Sequence, residues 1–230
     1  MREYQRPYHR LVASILKRMD AHLLARAECY FGGGTLLAMT LDEYRESRDI
    51  DFLCSSRTGF RLLREQVTNA SLGGILRRPV DLAREVRADR DGIRTFFKLQ
   101  DVPVKFEIIL EARIDLEGEI DKSLGVPILR QECAIAEKLL ANADRGLDAS
   151  TLSRDLVDLA FVAATAGAQP VNEGLVLAEQ AYGNAVRAGL QSSLERFKHD
   201  RSRAKAQLRS LGVEDTQTLR KGLATLGKIV

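Results

Sequence analysis

The chain has 230 residues and a mass of 25.6 kDa, with 45% hydrophobic, 29% charged and 6% aromatic residues. At roughly 150 residues per domain this is one large domain or two small ones, long enough to bury a core without disulfide or metal staples. The ordinary apolar fraction and a net charge of +3 exclude a disordered chain, and no apolar run is long enough to span a membrane. The opening, MREYQRPYHR, is charged and lacks an apolar signal core, so a cytoplasmic location is expected. Residues 8–26 place Tyr8, Leu11, Val12, Ile15, Leu16, Met19, Leu23 and Leu24 at helical spacing, behind a Pro7 suited to a first turn. Cys29-Tyr30-Phe31 predicts a short strand entering the turn Gly32-Gly33-Gly34-Thr35, with a helix opening directly at Leu36. Residues 49–54 predict a strand edged by two acids, and 59–76 a helix.

From about residue 80 to 110 the signals are β. Asp91-Gly92 is a hairpin dipeptide between residues 85–88 and 93–97, and a second turn near Gln100-Asp101 leads into residues 102–110. After Pro127 the β signal ends, and residues 131–145, 151–166, 171–188, 190–211 and 215–228 all read as helices. The expected class is α+β: a mixed, largely antiparallel sheet flanked by helices over 1–125, then a helical part over 126–230.

Cys29, Cys54 and Cys133 are far apart and without metal spacing, which excludes zinc fingers; they read as buried thiols of a reducing compartment. With only His9, His22 and His199, a His-based metal site or a Ser-His-Asp hydrolase is disfavoured. The net charge hides an asymmetry. From Arg187 to Val230 there are ten Lys/Arg and four acids, a basic tail suited either to an anionic partner such as RNA or simply to solvent.

The informative stretch is Gly33-Gly34-Thr35 followed by Arg45-Glu46-Ser47-Arg48-Asp49-Ile50-Asp51-Phe52. Residues i and i+2 of a strand share a face, so Asp49 and Asp51 present two carboxylates side by side, roughly 7 Å apart. Such a pair calls for a cation, and Mg²⁺ takes one or two carboxylates together with substrate phosphates. The glycines let the backbone approach a bulky anion, and the following helix offers free N–H groups. Glu107, on the strand 104–110 with Lys105 on its face, is the candidate third acid of a two-metal centre. Each piece alone is commonplace. One physical model, a triphosphate cradle facing a metal site, uses them all.

These residues resemble the first motif of the DNA polymerase β-like nucleotidyltransferases, and more narrowly the AbiEii/AbiGii-type abortive-infection toxins. The run from Ala136-Glu137-Lys138 to Arg145, then Arg154-Asp155-Leu156-Val157-Asp158-Leu159, is similar to the Lys helix and Arg-Asp-x-x-Asp-Leu of that group. The resemblance spans about residues 30–160. It implies a nucleotidyltransferase fold, with Gly33, Gly34 and Thr35 holding the triphosphate and Arg45 and Ser47 shaping the loop. It implies Asp49 and Asp51 as Mg²⁺ ligands, Glu107 as a third, and Lys138 on the nucleotide phosphates. Asp155 or Asp158 would orient Lys138 or a substrate group, and the helical part would complete the cleft. Read from the residues alone, Asp155 and Asp158 share a helix face and equally suit a salt-bridged pair of packing helices.

The expectation is therefore an enzyme that uses one or two Mg²⁺ ions to move an NMP from an NTP to a hydroxyl. The resemblance implies an RNA acceptor, with tRNA a candidate, and the basic C-terminal helices are compatible with binding it. It also implies a cognate antitoxin as in a type IV toxin–antitoxin system. A non-catalytic NTP- or RNA-binding module of the same fold is the alternative, and a metal-dependent nuclease a third.

Overall fold

The computed structural model describes residues 3–151 and 153–230. The chain forms two compact units, one of Met1–Leu36 with Ser47–Arg130 and the other of Leu37–Glu46 with Gln131–Val230. It leaves the first at Leu37 and re-enters at Ser47, two residues before Asp49.

The first unit is built on a seven-stranded sheet. Its strands are β1 (Cys29–Phe31), β2 (Ile50–Cys54), β3 (Leu82–Ala88), β4 (Gly92–Leu99), β5 (Val102–Leu110), β6 (Gly118–Asp121) and β7 (Val126–Leu129), in the order β3-β4-β5-β2-β1-β7-β6. β5 with β2, and β1 with β7, are parallel; the remaining pairs are antiparallel, giving the mixed, largely antiparallel sheet expected. Period-2 alternation sends Val104, Phe106 and Ile108 of β5 fully inward, opposite to Lys105 and Glu107. Phe31, Phe52, Phe106 and Phe97 form a continuous line of rings, with successive centroids 5.6, 6.1 and 5.1 Å apart. All three cysteines are buried thiols outside any disulfide.

Three sequence expectations change here. The single helix over 8–26 is two, α1 (Pro7–Leu16) and α2 (Ala21–Arg26). Asp20 makes the break, because its carboxylate accepts the Leu23 N–H at 2.8 Å and so starts a new helix. The helix over 59–76 shortens to α4 (Arg57–Arg64), followed after a turn by a single 3₁₀ turn, Gly73–Ile75. Gly73 has φ +51°, and a side chain there would strike the Gln66 carbonyl. Strands β6 and β7 stand where the β signal was read as ending. Their tight turn is organised by Asp121, whose Oδ1 accepts from the N–H groups of Ser123 and Leu124 and from the Ser123 hydroxyl.

Helix α3 (Gly33–Thr40) opens at the second glycine of the expected turn rather than at Leu36, so Gly33-Gly34-Thr35 belongs to its first turn. The second unit is otherwise helical: α5 (Gln131–Arg145), α6 (Arg154–Ala166), α7 (Ala168–Tyr182), α8 (Ala185–His199), α9 (Arg201–Leu211) and α10 (Thr216–Leu226). The expected helix over 190–211 is divided at Asp200, which accepts the Arg203 N–H at 3.0 Å. α5 packs against α6, α7 and α8, and α6 against α10. The α6–α10 approach needs Gly222, since a Cβ there would lie 1.7 Å from the Ala160 carbonyl oxygen. Among the described residues no helix is long and apolar enough to cross a membrane.

Candidate active site

The first unit gathers the acids and the glycine turn. Gly32 donates its N–H to the Asp51 carbonyl at 2.8 Å, extending the β1–β2 pairing by one residue. The chain then turns through Gly33 at φ +68°, a left-handed conformation that favours glycine. A Cβ on Gly33 would lie 2.7 Å from Asp51 Oδ2, so only glycine lets that carboxylate pack against the turn. Asp51 sits within β2 and Asp49 one residue before it, both half-buried. Glu107 is the register partner of Asp51 across the parallel β2–β5 ladder. Its carboxylate is bonded to Lys105 and lies 3.3 Å from Arg94 Nε. Lys105 thus neutralises charge on that face, as expected, and Glu107 is engaged by two cations.

Ser47 is held from two sides. Thr35, fully buried, donates its hydroxyl to Ser47 Oγ at 2.7 Å. The Ser47 N–H donates to Nε2 of the buried His9 at 3.3 Å. Arg48 lies over the Tyr8 ring at 4.3 Å. Thr35 therefore acts on the loop before Asp49, alongside two α1 residues that sequence reasoning missed.

The second unit holds the other predicted residues in one buried network. Asp158 receives Arg45 in two bonds, Nε to Oδ1 at 2.6 Å and Nη2 to Oδ2 at 2.9 Å, and the Tyr44 hydroxyl at 2.6 Å. Lys138 Nζ bridges Asp155 at 2.9 Å and Asp158 at 3.0 Å. Arg145 closes on Asp155 in two bonds, 2.8 and 3.1 Å. Charges alternate along Arg45–Asp158–Lys138–Asp155–Arg145, which lets four buried ionised groups be held together, with the more exposed Arg145 closing the end of the row. Burial works against the charged forms of Arg45 and Lys138, but Asp158 for the first and Asp155 with Asp158 for the second outweigh it, so both pKa values lie above the ordinary ones. Burial likewise opposes ionised Asp155 and Asp158, and the surrounding cations still hold both below the usual carboxylate range. Burial, reinforced by Asp158, raises the Tyr44 phenol well above its normal value. Lys138 is thus a permanent cation at neutral pH rather than a base. Asp155 and Asp158 both orient it. Tyr44, stacked on Phe161 at 4.1 Å, is a further member that spacing alone did not reveal.

The family model for the nucleotidyl transferase AbiEii toxin of type IV toxin–antitoxin systems matches residues 14–222. The chain belongs to the AbiEii family. It is accordingly a nucleotidyltransferase of a toxin family. No curated protein sequence matches it significantly. Among solved structures it is similar to a protein from H. pylori assigned as a nucleotidyltransferase, at TM-score 0.57 and 19% identity over 99% of this chain and 96% of the other. It is also similar to JHP933 from Helicobacter pylori, at TM-score 0.52 and 18% identity over 99% and 93%. The nucleotidyltransferase toxin MenT4 from Mycobacterium tuberculosis H37Rv aligns at TM-score 0.51 and 18% identity over 94% and 88%. At these identities the likeness is one of fold.

The carboxylates of the first unit are of the kind that suits a hard divalent ion. Asp49 and Asp51 offer only oxygen donors, and glycine at position 33 lets the backbone turn lie directly against the Asp51 carboxylate. Among the described residues no three His, Cys, Asp or Glu side chains converge on one point. The paired aspartates with a substrate oxygen are the donor set that fits.

Proposed function

We propose that this chain transfers an NMP from an NTP to a hydroxyl of an RNA acceptor in the cytoplasm, with Mg²⁺ bound by Asp49 and Asp51. The observation that carries this is the left-handed Gly33 turn set directly against the Asp51 carboxylate. Mg²⁺, when bound, would neutralise the triphosphate and favour ionisation of the attacking hydroxyl. The acceptor oxygen bonds to the α-phosphorus, the bond from that phosphorus to the bridging oxygen breaks, pyrophosphate leaves, and the hydroxyl proton passes to solvent.

On this reading Gly33 and Gly34 admit the triphosphate to the backbone, and Thr35 keeps Ser47 and the Asp49 loop in place. Arg45 braces the same loop through Asp158. Lys138 supplies a fixed positive charge for the nucleotide phosphates, oriented by Asp155 and Asp158. Glu107 serves as a third ligand only by exchanging Lys105 and Arg94 for a metal ion. The basic residues of α8–α10 are a candidate contact for a tRNA body. Some already have intramolecular work, since Arg187 bonds Glu179 and the Ile229 carbonyl. The family's description supports an antitoxin partner.

The test is transfer of label from each α-³²P NTP to total tRNA with Mg²⁺ present. Wild type is expected to label RNA, and Asp49→Ala/Asp51→Ala to give none. Equal label from both proteins sinks the assignment. The second reading, an NTP-binding module without turnover, is favoured by the pairing of Glu107 with two cations. Calorimetric NTP binding without label transfer to any RNA would select it.

A further inference from the structure

The β3–β4–β5 side of the sheet carries a set of residues that the transfer chemistry leaves unused. β3 is an edge strand, and its pairing with β4 shifts register twice, between Leu82 and Arg84 and between Arg84 and Arg87. In a regular strand, residues three apart point to opposite faces. The two irregularities instead set Arg84 opposite Phe96 and Arg87 opposite Arg94, and Phe96 and Arg94 share one face of β4. The Thr95 hydroxyl donates to the Arg84 carbonyl at 2.7 Å, and the Val86 N–H to the Asn69 carbonyl at 2.8 Å, so the bulged backbone is pinned.

The face that results is continuous with the acids. Asp51, Glu107, Arg94 and Arg87 occupy successive register positions on β2, β5, β4 and β3. At ~4.8 Å per strand this row is about 14 Å long. Alongside it lies a pocket of about 490 Å³ whose lining includes Arg84, Arg87, Phe96 and Lys105. Four cations face it against two acids, Glu85 and Glu107. The Arg84 guanidinium lies 4.6 Å from the Phe96 ring centroid, forming a flat platform exposed at the sheet edge.

We propose that this face is the acceptor subsite, binding the single-stranded 3′ end of an RNA so that its terminal hydroxyl points along the row towards Asp51. The proposal rests on the transferase reading for what happens at that end, and not for the binding itself. Arg84 on Phe96 gives one base a stacking surface, a mode that serves any base because each has a π-face. Arg87 and Lys105 meet the backbone phosphates. Arg94, bonded to Asp89 at 2.9 Å and facing Glu107, keeps Glu107 turned towards the platform. No Asn or Gln is among the lining residues, so selection rests on single-strandedness and charge rather than on base edges.

The experiment is fluorescence anisotropy of a 5′-labelled single-stranded RNA decamer against the full chain without NTP. Arg84→Ala/Phe96→Ala is expected to weaken binding about tenfold or more. Phe96→Leu, which keeps apolar bulk, should show most of the loss if stacking is the cause. Arg87→Ala/Lys105→Ala should flatten the dependence of log K on log salt by roughly 0.7 per phosphate contact removed. Arg57→Ala/Arg64→Ala on α4 removes charge elsewhere and should leave binding within about twofold. Wild-type affinity in the platform variants overturns the subsite and leaves β3 with edge arginines that merely deter strand pairing. If wild type labels RNA while those variants bind normally, the subsite is wrong and the transferase stands. If they lose RNA while no acceptor is ever labelled, the subsite stands and the transferase falls.

Discussion

At the scale of single residues, function is concentrated where a side chain is missing. Gly33→Ala must place a Cβ 2.7 Å from Asp51 Oδ2 on a backbone at φ +68°. The left-handed conformation costs about 1–2 kcal/mol for alanine, a modest loss of stability. The larger effect is expected on the reaction, because Asp51 must rotate away from its position. Label transfer should fall at least tenfold while the thermal midpoint drops by only a few degrees. An equal and mild effect on both would separate the turn from the chemistry. The residue-level site was legible in the sequence as far as spacing reaches. Asp49, Asp51 and the glycines are close in sequence, and strand alternation states which way they point. His9 and Tyr8 were not legible, because holding Ser47 and Arg48 takes contacts from α1, about 40 positions away.

At the scale of elements, hydrophobic period placed most strands and helices, and single polar residues decided where they stop. Asp20 and Asp200 each interrupt a continuous helical pattern by accepting an N–H three residues on. Pattern reading saw the apolar spacing on both sides and joined the pieces. The β6–β7 hairpin was missed for a related reason: its four-residue strands are too short to show a period, and Pro127 reads as a breaker. The sign of one substitution tests the broken helix. Asp200→Ala should destabilise by ~1 kcal/mol in urea denaturation if Asp200 caps α9. Were 190–211 one helix, the same change would stabilise it, since alanine is the better helix former.

At the scale of the whole molecule, the alternating charges around Asp158 and Lys138 set the response to pH. Asp155 and Asp158 have folded pKa values below their unfolded ones, so their contribution is complete above pH ~4 and is lost as pH falls through the folded values. Lys138 has a raised value, so its contribution is complete below pH ~10 and is lost as pH rises past the folded one. Stability in urea should therefore fall between pH 4 and pH 2. In Asp158→Ala that acid slope should be shallower. The same variant should lose about 3–5 kcal/mol at pH 7, because Arg45 and Lys138 are left buried with too little negative charge. Asp49→Ala, at a half-buried loop position, should lose transfer with little change in stability. A matching stability loss in both would mean that the two acids do similar structural work.

The short segment Leu37–Glu46 also has a consequence for biosynthesis. Arg45 and its partner Asp158 are 113 positions apart. At ~5–20 residues per second, roughly 6 to 23 s separate their synthesis. Throughout that interval the approach to Asp49 has no seat for its guanidinium, and the ring of Tyr44 has no Phe161 to stack on. A chain ending at residue 150 should be cut by protease within residues 37–46, where the full chain is protected. Protection of the shortened chain would show that the segment settles without α6. If it is cut, the segment 37–46 settles only once α6 has been made, long after the strands it interrupts.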